Sequence, residues 1–334
     1  MKLRNTVKKI VAISAFLTLT TSCFAEQVEF AVLGDMPYRT HENVSLTGPD
    51  GEIFSAIKAL NPPVLVHYGD FKAGGESCTD DLITTYKNQI ANLNPGRTVY
   101  TPGDNDWTDC DRPSMSVQFD EMERLELIRN LFFGTTGLEM SKDIPGLVRQ
   151  ENFPENAIWK LDNLVMGTLH IVGTNNGREE ILKSDVNKTL DAVDSRDTAN
   201  EIWLQKMFSD AQSAAGLVVL FQSDIYEPGA DKKPACTKEN RVDCDGYKNI
   251  RDAIAKMAAE YKKPVLAVHG DTNAYCFNQQ SETISNLWHL NGPGDYKVID
   301  AAKITFDAKN SAKPFEVVGL LDPKAPPEIC DYSR

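Results

Sequence analysis

Short apolar runs recur along the chain, and each is stopped by polar or turn-forming residues. Residues 28–33 end in Gly34-Asp35, and residues 63–68 end in Gly69-Asp70. Residues 98–101 lead into Pro102-Gly103-Asp104-Asn105-Asp106, 216–221 into Gln222-Ser223-Asp224, and 264–268 into His269-Gly270-Asp271. Their length and their Val, Leu and aromatic content predict strands. Amphipathic helical patterns fill the gaps: a short one at 54–60, then longer ones at 80–93, 117–133, 199–214 and 247–261. Strands alternating with helices of this length make βαβ units, and so predict a core of parallel strands. Residues 158–163, 165–173, 297–306 and 315–321 read as further strands with no helix between close neighbours, which predicts an added antiparallel portion. No repeat or low-complexity linker divides the pattern, so residues 26–334 are expected to form one α/β domain.

The composition is that of a globular chain, 41% hydrophobic and 25% charged over 334 residues. Its net charge of −13 argues against nucleic acid as a partner, because phosphate contacts need clustered Lys and Arg. Beyond the first residues, no stretch approaches the ~20 apolar residues that a transmembrane span needs. The start of the chain reads as a signal peptide over residues 1–25. Lys2, Arg4, Lys8 and Lys9 are basic, residues 10–19 are apolar, and Cys23-Phe24-Ala25 offers a cleavage site before Glu26. The expected location is therefore secreted or periplasmic; a lipoprotein anchored through Cys23 is the variant reading. Cysteine usage agrees with export, since setting Cys23 aside leaves Cys78, Cys110, Cys236, Cys244, Cys276 and Cys330. Cys236 and Cys244 bracket a short loop and are the easiest pair to close. The other four allow three pairings. No CxxC pair is present, which favours disulfides over a zinc site.

The chemistry is expected beyond the carboxyl ends of the strands, where ligands bind in such folds. There the sequence places Asp35, Asp70, Asp104 with Asn105, Gln222 with Asp224, and Asp271 with Asn273. A lone Asp after a strand is commonly a turn former. Carboxylates gathered from all these ends would repel one another unless protonated or neutralised by a cation.

In these positions the chain resembles the calcineurin-like metallophosphoesterases. Their pattern is Asp-x-His, Gly-Asp, Gly-Asn-His-Asp, a later His, and Gly-His-x-His. Here the corresponding stretches read Gly34-Asp35-Met36-Pro37, Gly69-Asp70, Gly103-Asp104-Asn105-Asp106, Gln222-Ser223, and Gly270-Asp271-Thr272-Asn273. The resemblance implies layered mixed β-sheets flanked by helices. It also implies a hydrolase of small phosphate esters in which two metal ions share a bridging Asp and hold the attacking hydroxide. Asp70 matches the bridge and Asp35 a ligand of the first metal. Asp104 stands where the family has Asn, and Asn105 where it has the His that assists the leaving group. Pro37, Gln222 or Ser223, Asp271 and Asn273 stand where it has ligating His, so this would be an atypical, His-poor branch.

Carboxylates and amides in place of imidazoles suit Mg²⁺, Mn²⁺ or Ca²⁺. The expected cofactor is thus one or two such ions, with Asp35, Asp70, Asp104, Asp271, Asn273 and Gln222 as the metal set. Asn105, Asp106 and His269 are the catalytic candidates, and Arg112 and Lys72 the candidate phosphate contacts at the mouth. The alternative is a degenerate member that binds no metal and serves as a binding or interaction module.

Overall fold

The computed structural model describes residues 27–226, 232–272, 274–279, 284–324 and 327–330. The signal peptide expected over 1–25 and the proposed ligand Asn273 lie outside the described residues. Among the described residues, twelve strands form two mixed sheets. The first runs β12 (Phe315–Gly319), β11 (Ala302–Asp307), β1 (Gln27–Leu33), β2 (Leu65–His67), β3 (Thr98–Tyr100). The second runs β4 (Val148–Gln150), β5 (Phe153–Leu161), β6 (Leu164–Thr168), β7 (Gly216–Leu220), β8 (Val265–His269), β10 (Leu287–Asn291), β9 (Cys276–Gln279).

Parallel pairing joins β1–β2–β3 and β6–β7–β8–β10, and antiparallel strands flank both groups. This is the mixed α/β arrangement that the alternating pattern predicts, except that β6, expected in the antiparallel portion, pairs parallel to β7.

Alternation of side chains along each strand sets the layers. Phe30 and Val32 of β1 face Met166, Val218, Leu220 and Val268 of the second sheet in the central core. Ala31 and Leu33 face outward onto Ile53 and Ile57 of α2 (Glu52–Leu60) and Leu93, the last residue of α3 (Asp80–Leu93). On the far side, Val165, Leu217, Val219 and Ala267 pack against α6 (Val186–Asp210) and α7 (Lys248–Tyr261). The order is helix, sheet, sheet, helix.

Several boundaries differ from the sequence expectation. The helix expected over 199–214 starts at Val186, where Asp185 caps it by accepting from the Lys188 N–H. Its first half is mostly solvent-facing, so the apolar stripe there is thin: Leu190 and Val193. The helix expected over 117–133 begins only at Glu121, after the Asp120 cap, as α4 (Glu121–Ile128), and continues as a π-turn over Arg129–Phe133. Strand β6 stops at Thr168, short of the expected 173. Strand β10 carries His289 and Asn291 among its apolar residues, which hides it from a hydropathy reading. A short helix, α1 (Thr40–Ser45), precedes α2.

All six cysteines after Cys23 are paired: Cys78–Cys110, Cys236–Cys244 and Cys276–Cys330. The first ties the segment after β3 to the entry of α3. No helix among the described residues is long and apolar enough to cross a membrane.

Candidate metal centre

Four of the expected residues meet where the parallel strands of both sheets end. Asp35 follows β1, Asp70 follows β2, Asp104 follows β3, and Asp271 follows β8. Oxygens of Asp70, Asp104 and Asp271 all lie within 4.8 Å of one another. Asp35 stands beside them, accepting from the Asp271 main-chain N–H at 3.3 and 3.2 Å.

The chain turns back sharply to present these carboxylates. Asp35, Asp70 and Asp271 have φ of 49°, 57° and 72°, the left-handed region that Asp tolerates better than most side chains. The preceding glycines permit close approach: a Cβ on Gly270 would meet Asp35 Oδ2 at 1.7 Å, and one on Gly103 would meet Asp70 Oδ1 at 1.9 Å. Holding several residues in such conformations costs roughly 1–3 kcal/mol each, and such strain concentrates at functional sites.

Gln222, after β7, links the carboxylates. Its side-chain nitrogen donates to Asp104 Oδ1 at 2.9 Å, Asp271 Oδ1 at 3.0 Å and Asp70 Oδ2 at 3.2 Å. Its oxygen accepts from the Gly173 N–H at 2.9 Å, which fixes the orientation of the amide. The atom facing the carboxylates is therefore a donor, and for Gln222 to serve as an oxygen ligand this amide would have to turn.

Asn105 Nδ2 donates to Asp70 Oδ2 at 2.7 Å and to the Tyr38 hydroxyl at 3.0 Å, while that hydroxyl donates to Asp70 Oδ2 at 2.9 Å. Ser223 Oγ donates to Asp271 Oδ2 at 2.9 Å, and Thr174 Oγ1 to Asp104 Oδ2 at 3.3 Å. Thr174 sits in a turn over Gly173–Gly177 whose residues Thr174, Asn175 and Asn176 are all left-handed.

Burial raises the carboxyls of Asp35, Asp70 and Asp271 well above the usual carboxylate range, and neighbouring carboxylates add to the effect. Asp104 is also raised by burial, with Arg112 opposing. Burial and the nearby Asp70 charge raise Tyr38, so its hydroxyl keeps its proton. The cavity above the cluster has a volume of about 360 Å³ and is lined by Tyr38, Asp70, Asp104, Asn105 and Asp271 with Gly74, Gly75, Arg112, Asp295 and Tyr296.

The remaining expected residues are placed differently. Asp106 is fully buried and braces the loops, accepting from the main-chain N–H groups of Asp70, Phe71 and Gly103 and from the Tyr100 hydroxyl. Burial pushes its carboxyl up to about 6. His269 is fully buried, stacked on Phe221 and His289, with Nδ1 3.7 Å from Asp224. Burial lowers its pKa, which keeps the ring neutral, and the ring is not among the groups that line the cavity.

Lys72 is fully buried with Nζ on the Ala73 carbonyl, rather than lining the mouth. Arg112 does reach the cavity. It pairs with Asp109 at 2.6 Å and Glu180 at 3.1 Å. The sequence pattern does not point to Tyr38, Thr174, Asp295 or Tyr296, and it offers Ser223 only as the alternative to Gln222. Ser223 adjoins Gln222 at a strand end, whereas the others carry no local signal.

The atoms at the cluster that could hold a cation are oxygens of carboxylates and hydroxyls, while the Gln222 and Asn105 amides present their nitrogens. That chemistry fits a hard divalent cation.

No family model and no curated protein matches the chain. Solved structures with similar architecture include the sulfate thiohydrolase SoxB of Thermus thermophilus in complex with glycerol (TM-score 0.41, 13% identity, 85% of this chain and 43% of that one). Another is the NAD nucleotidase NadN of Haemophilus influenzae (TM-score 0.38, 12% identity, 87% of this chain and 49% of that one). The chain spans less than half the length of either protein.

Proposed function

We propose that this protein is an exported, His-poor relative of the calcineurin-like metallophosphoesterases that hydrolyses small phosphate esters with a hard divalent cation, Mg²⁺, Mn²⁺ or Ca²⁺. The observation that carries the reading is the meeting of Asp70, Asp104 and Asp271 within 4.8 Å beneath an open cavity. Asp35 completes the donor set, and Asn273 remains a further candidate.

Without a cation, a phosphate dianion would meet Asp70, Asp104, Asp271 and Asp295 with Arg112 as the one facing cation among the residues that line the cavity. Repulsion of this kind rules against binding. A bound divalent ion would supply charge neutralisation and Lewis-acid polarisation of the phosphoryl group.

The chain's own residues would then act as follows. Arg112, 32% exposed, would exchange part of its pairing with Glu180 for phosphate oxygens at the rim. Tyr38 and Asn105 would orient Asp70 through their hydrogen bonds to its Oδ2. Asn105 holds no proton to give a leaving group at neutral pH, so esters with acidic leaving groups are the expected substrates. The three disulfides support export.

The second reading, a binding module without catalysis, is favoured by one specific contact set. The Gln222 amide nitrogen lies among the three carboxylates and provides a neutral substitute for a cation. Two measurements on the purified protein separate the readings: calorimetric titration with each cation, and turnover of p-nitrophenyl phosphate with and without it. Cation binding with turnover abolished by chelator and by Asp70→Asn supports the hydrolase. Binding without turnover supports the module, and the absence of both overturns the metal site.

A further inference from the structure

Trp107, three residues after Asp104, lines a separate cavity of about 180 Å³. Its walls come from α4, the π-turn after it, the start of β5 and the middle of α6. Asn152 and Ser195, both exposed, stand at its edge.

Two buried donor atoms at this cavity are unmatched. Trp107 is 1% exposed and Arg196 3%, yet Trp107 Nε1 and Arg196 Nε have no hydrogen-bond partner among the described residues. A buried donor left unpaired costs roughly 1–3 kcal/mol, so two at one cavity call for an acceptor. The Arg196 guanidinium lies 5.4 Å from the Trp107 ring centre, so the two unpaired donors belong to one patch. Arg129 also lines the cavity, its guanidinium 5.8 Å from the Phe153 ring.

Charge gives the sign of the acceptor. The lining holds two cations, Arg129 and Arg196, and no acid; behind it Arg129 pairs with the buried Glu155 at 2.5 Å, and the Asp197 charge acts on Arg196. Burial pulls Arg196 down to about 10, so it remains protonated at neutral pH. Burial, with Arg196 and Arg129 beside it, holds His170 well below the usual range, so it is neutral and adds no charge. The rest of the wall is apolar, formed by Met122, Leu125, Phe153 and Val193.

We propose that this cavity is a second ligand site, which takes a small carboxylic acid with an apolar body. The carboxylate would accept from Trp107 and the arginines, and the body would displace water from the apolar wall. A bare phosphate would satisfy the donors but leave that wall wet. An uncharged aromatic would cover the wall but leave the donors unpaired.

The site is joined to the metal centre through the loops between them. The Trp107 main-chain N–H donates to the Asp104 carbonyl at 3.1 Å. Arg196 donates to Asn176 O and Oδ1, in the same left-handed turn from which Thr174 reaches Asp104. Occupancy therefore bears on two of the contacts that hold Asp104.

The test is calorimetric titration of the full chain with benzoate, and separately with benzamide and inorganic phosphate. Two variants accompany it: Ala192→Phe, which fills the cavity from a half-buried helix position, and Arg129→Gln, which removes a charge. Melting curves check that each variant folds; should Arg129→Gln fail to fold, Ala192→Phe alone carries the test. Saturable benzoate binding is expected, weakened about tenfold or more in both variants, with benzamide about tenfold weaker on the native chain. No saturable benzoate binding would overturn the proposal. So would binding that survives Ala192→Phe, benzamide binding as tightly, or phosphate binding in preference to benzoate.

Discussion

Gln222 Nε2 donates to Asp104 Oδ1 at 2.9 Å, joining residues 118 positions apart at the ends of strands in different sheets. The same nitrogen reaches Asp70 and Asp271, so one neutral amide holds three buried carboxylates together. A cation entering this space would take over that task, and the amide and the cation should compete.

Replacing Gln222 with Leu tests that competition. The metal-free variant should melt at lower temperature, by about 2 kcal/mol in stability, because the carboxylates and the Gly173 N–H lose buried partners. Adding Mn²⁺ should raise its melting temperature by more than it raises that of the native chain. Equal gains in the two proteins would show that amide and cation do not share a place.

Asp70→Asn keeps the shape of the side chain, and Asn tolerates the left-handed backbone at φ 57°. It removes one charge from a set whose members raise each other's pKa. The metal-free variant should therefore melt at or above the native temperature, and the rise produced by Mg²⁺, Mn²⁺ or Ca²⁺ should vanish. Asp70→Ala should melt below Asp70→Asn by about 1 kcal/mol or more, since Ala pays for the left-handed conformation and leaves Tyr38 and Asn105 without their acceptor. If the cation still stabilises Asp70→Asn as strongly as the native chain, Asp70 is not a ligand.

His67 gives a prediction about pH. Burial lowers it to about 3, below its ordinary 6.5. A base depressed in the folded state contributes stability above the unfolded pKa and loses it as pH falls from 6.5 toward 3. The loss is about 1.4 kcal/mol per pH unit in that window for one group. The raised carboxylates Asp35, Asp70 and Asp271 act with the opposite sign, favouring the metal-free fold in acid and losing that contribution as pH rises. Comparing the native chain with His67→Asn cancels the carboxylates, which both proteins share. Urea melts at pH 7 and pH 5 should show a smaller acid loss in the variant; identical losses would contradict a neutral, buried His67.

The disulfides can be ranked by the length of chain that each closes. Separations of 8, 32 and 54 residues belong to Cys236–Cys244, Cys78–Cys110 and Cys276–Cys330. Loop entropy alone gives about 2.5, 3.7 and 4.2 kcal/mol in that order. Double Ser variants should lose stability in the same sequence. Loss of Cys78–Cys110 should also weaken cation affinity, because Cys110 lies in the segment that follows Asp104. Thiol titration of the denatured, unreduced protein should find no free thiol apart from Cys23; six free thiols would contradict all three pairs.

Hydropathy and turn chemistry by themselves determined β1, β2, β3, β7 and β8 and the residues that stop them, but neither β10 nor the parallel pairing of β6 with β7. A buried strand needs a continuous apolar run, and the return of the chain needs Gly and Asp at its end, so Asp35, Asp70, Asp104, Gln222 and Asp271 are legible as one edge. Cysteine spacing likewise determined Cys236–Cys244, because that pair closes a short local loop. The tertiary structure decided everything that depends on a partner distant in sequence. It selected Cys78–Cys110 and Cys276–Cys330 from the open pairings, and turned the Gln222 nitrogen toward the carboxylates through a hydrogen bond to Gly173. It brought Tyr38 onto Asp70, buried Lys72, and gave His269 to an aromatic stack instead of the cavity. The reason is physical. Strand ends follow from local pattern, but the direction of a side chain is set by whichever donors, acceptors and apolar surfaces the fold carries to it.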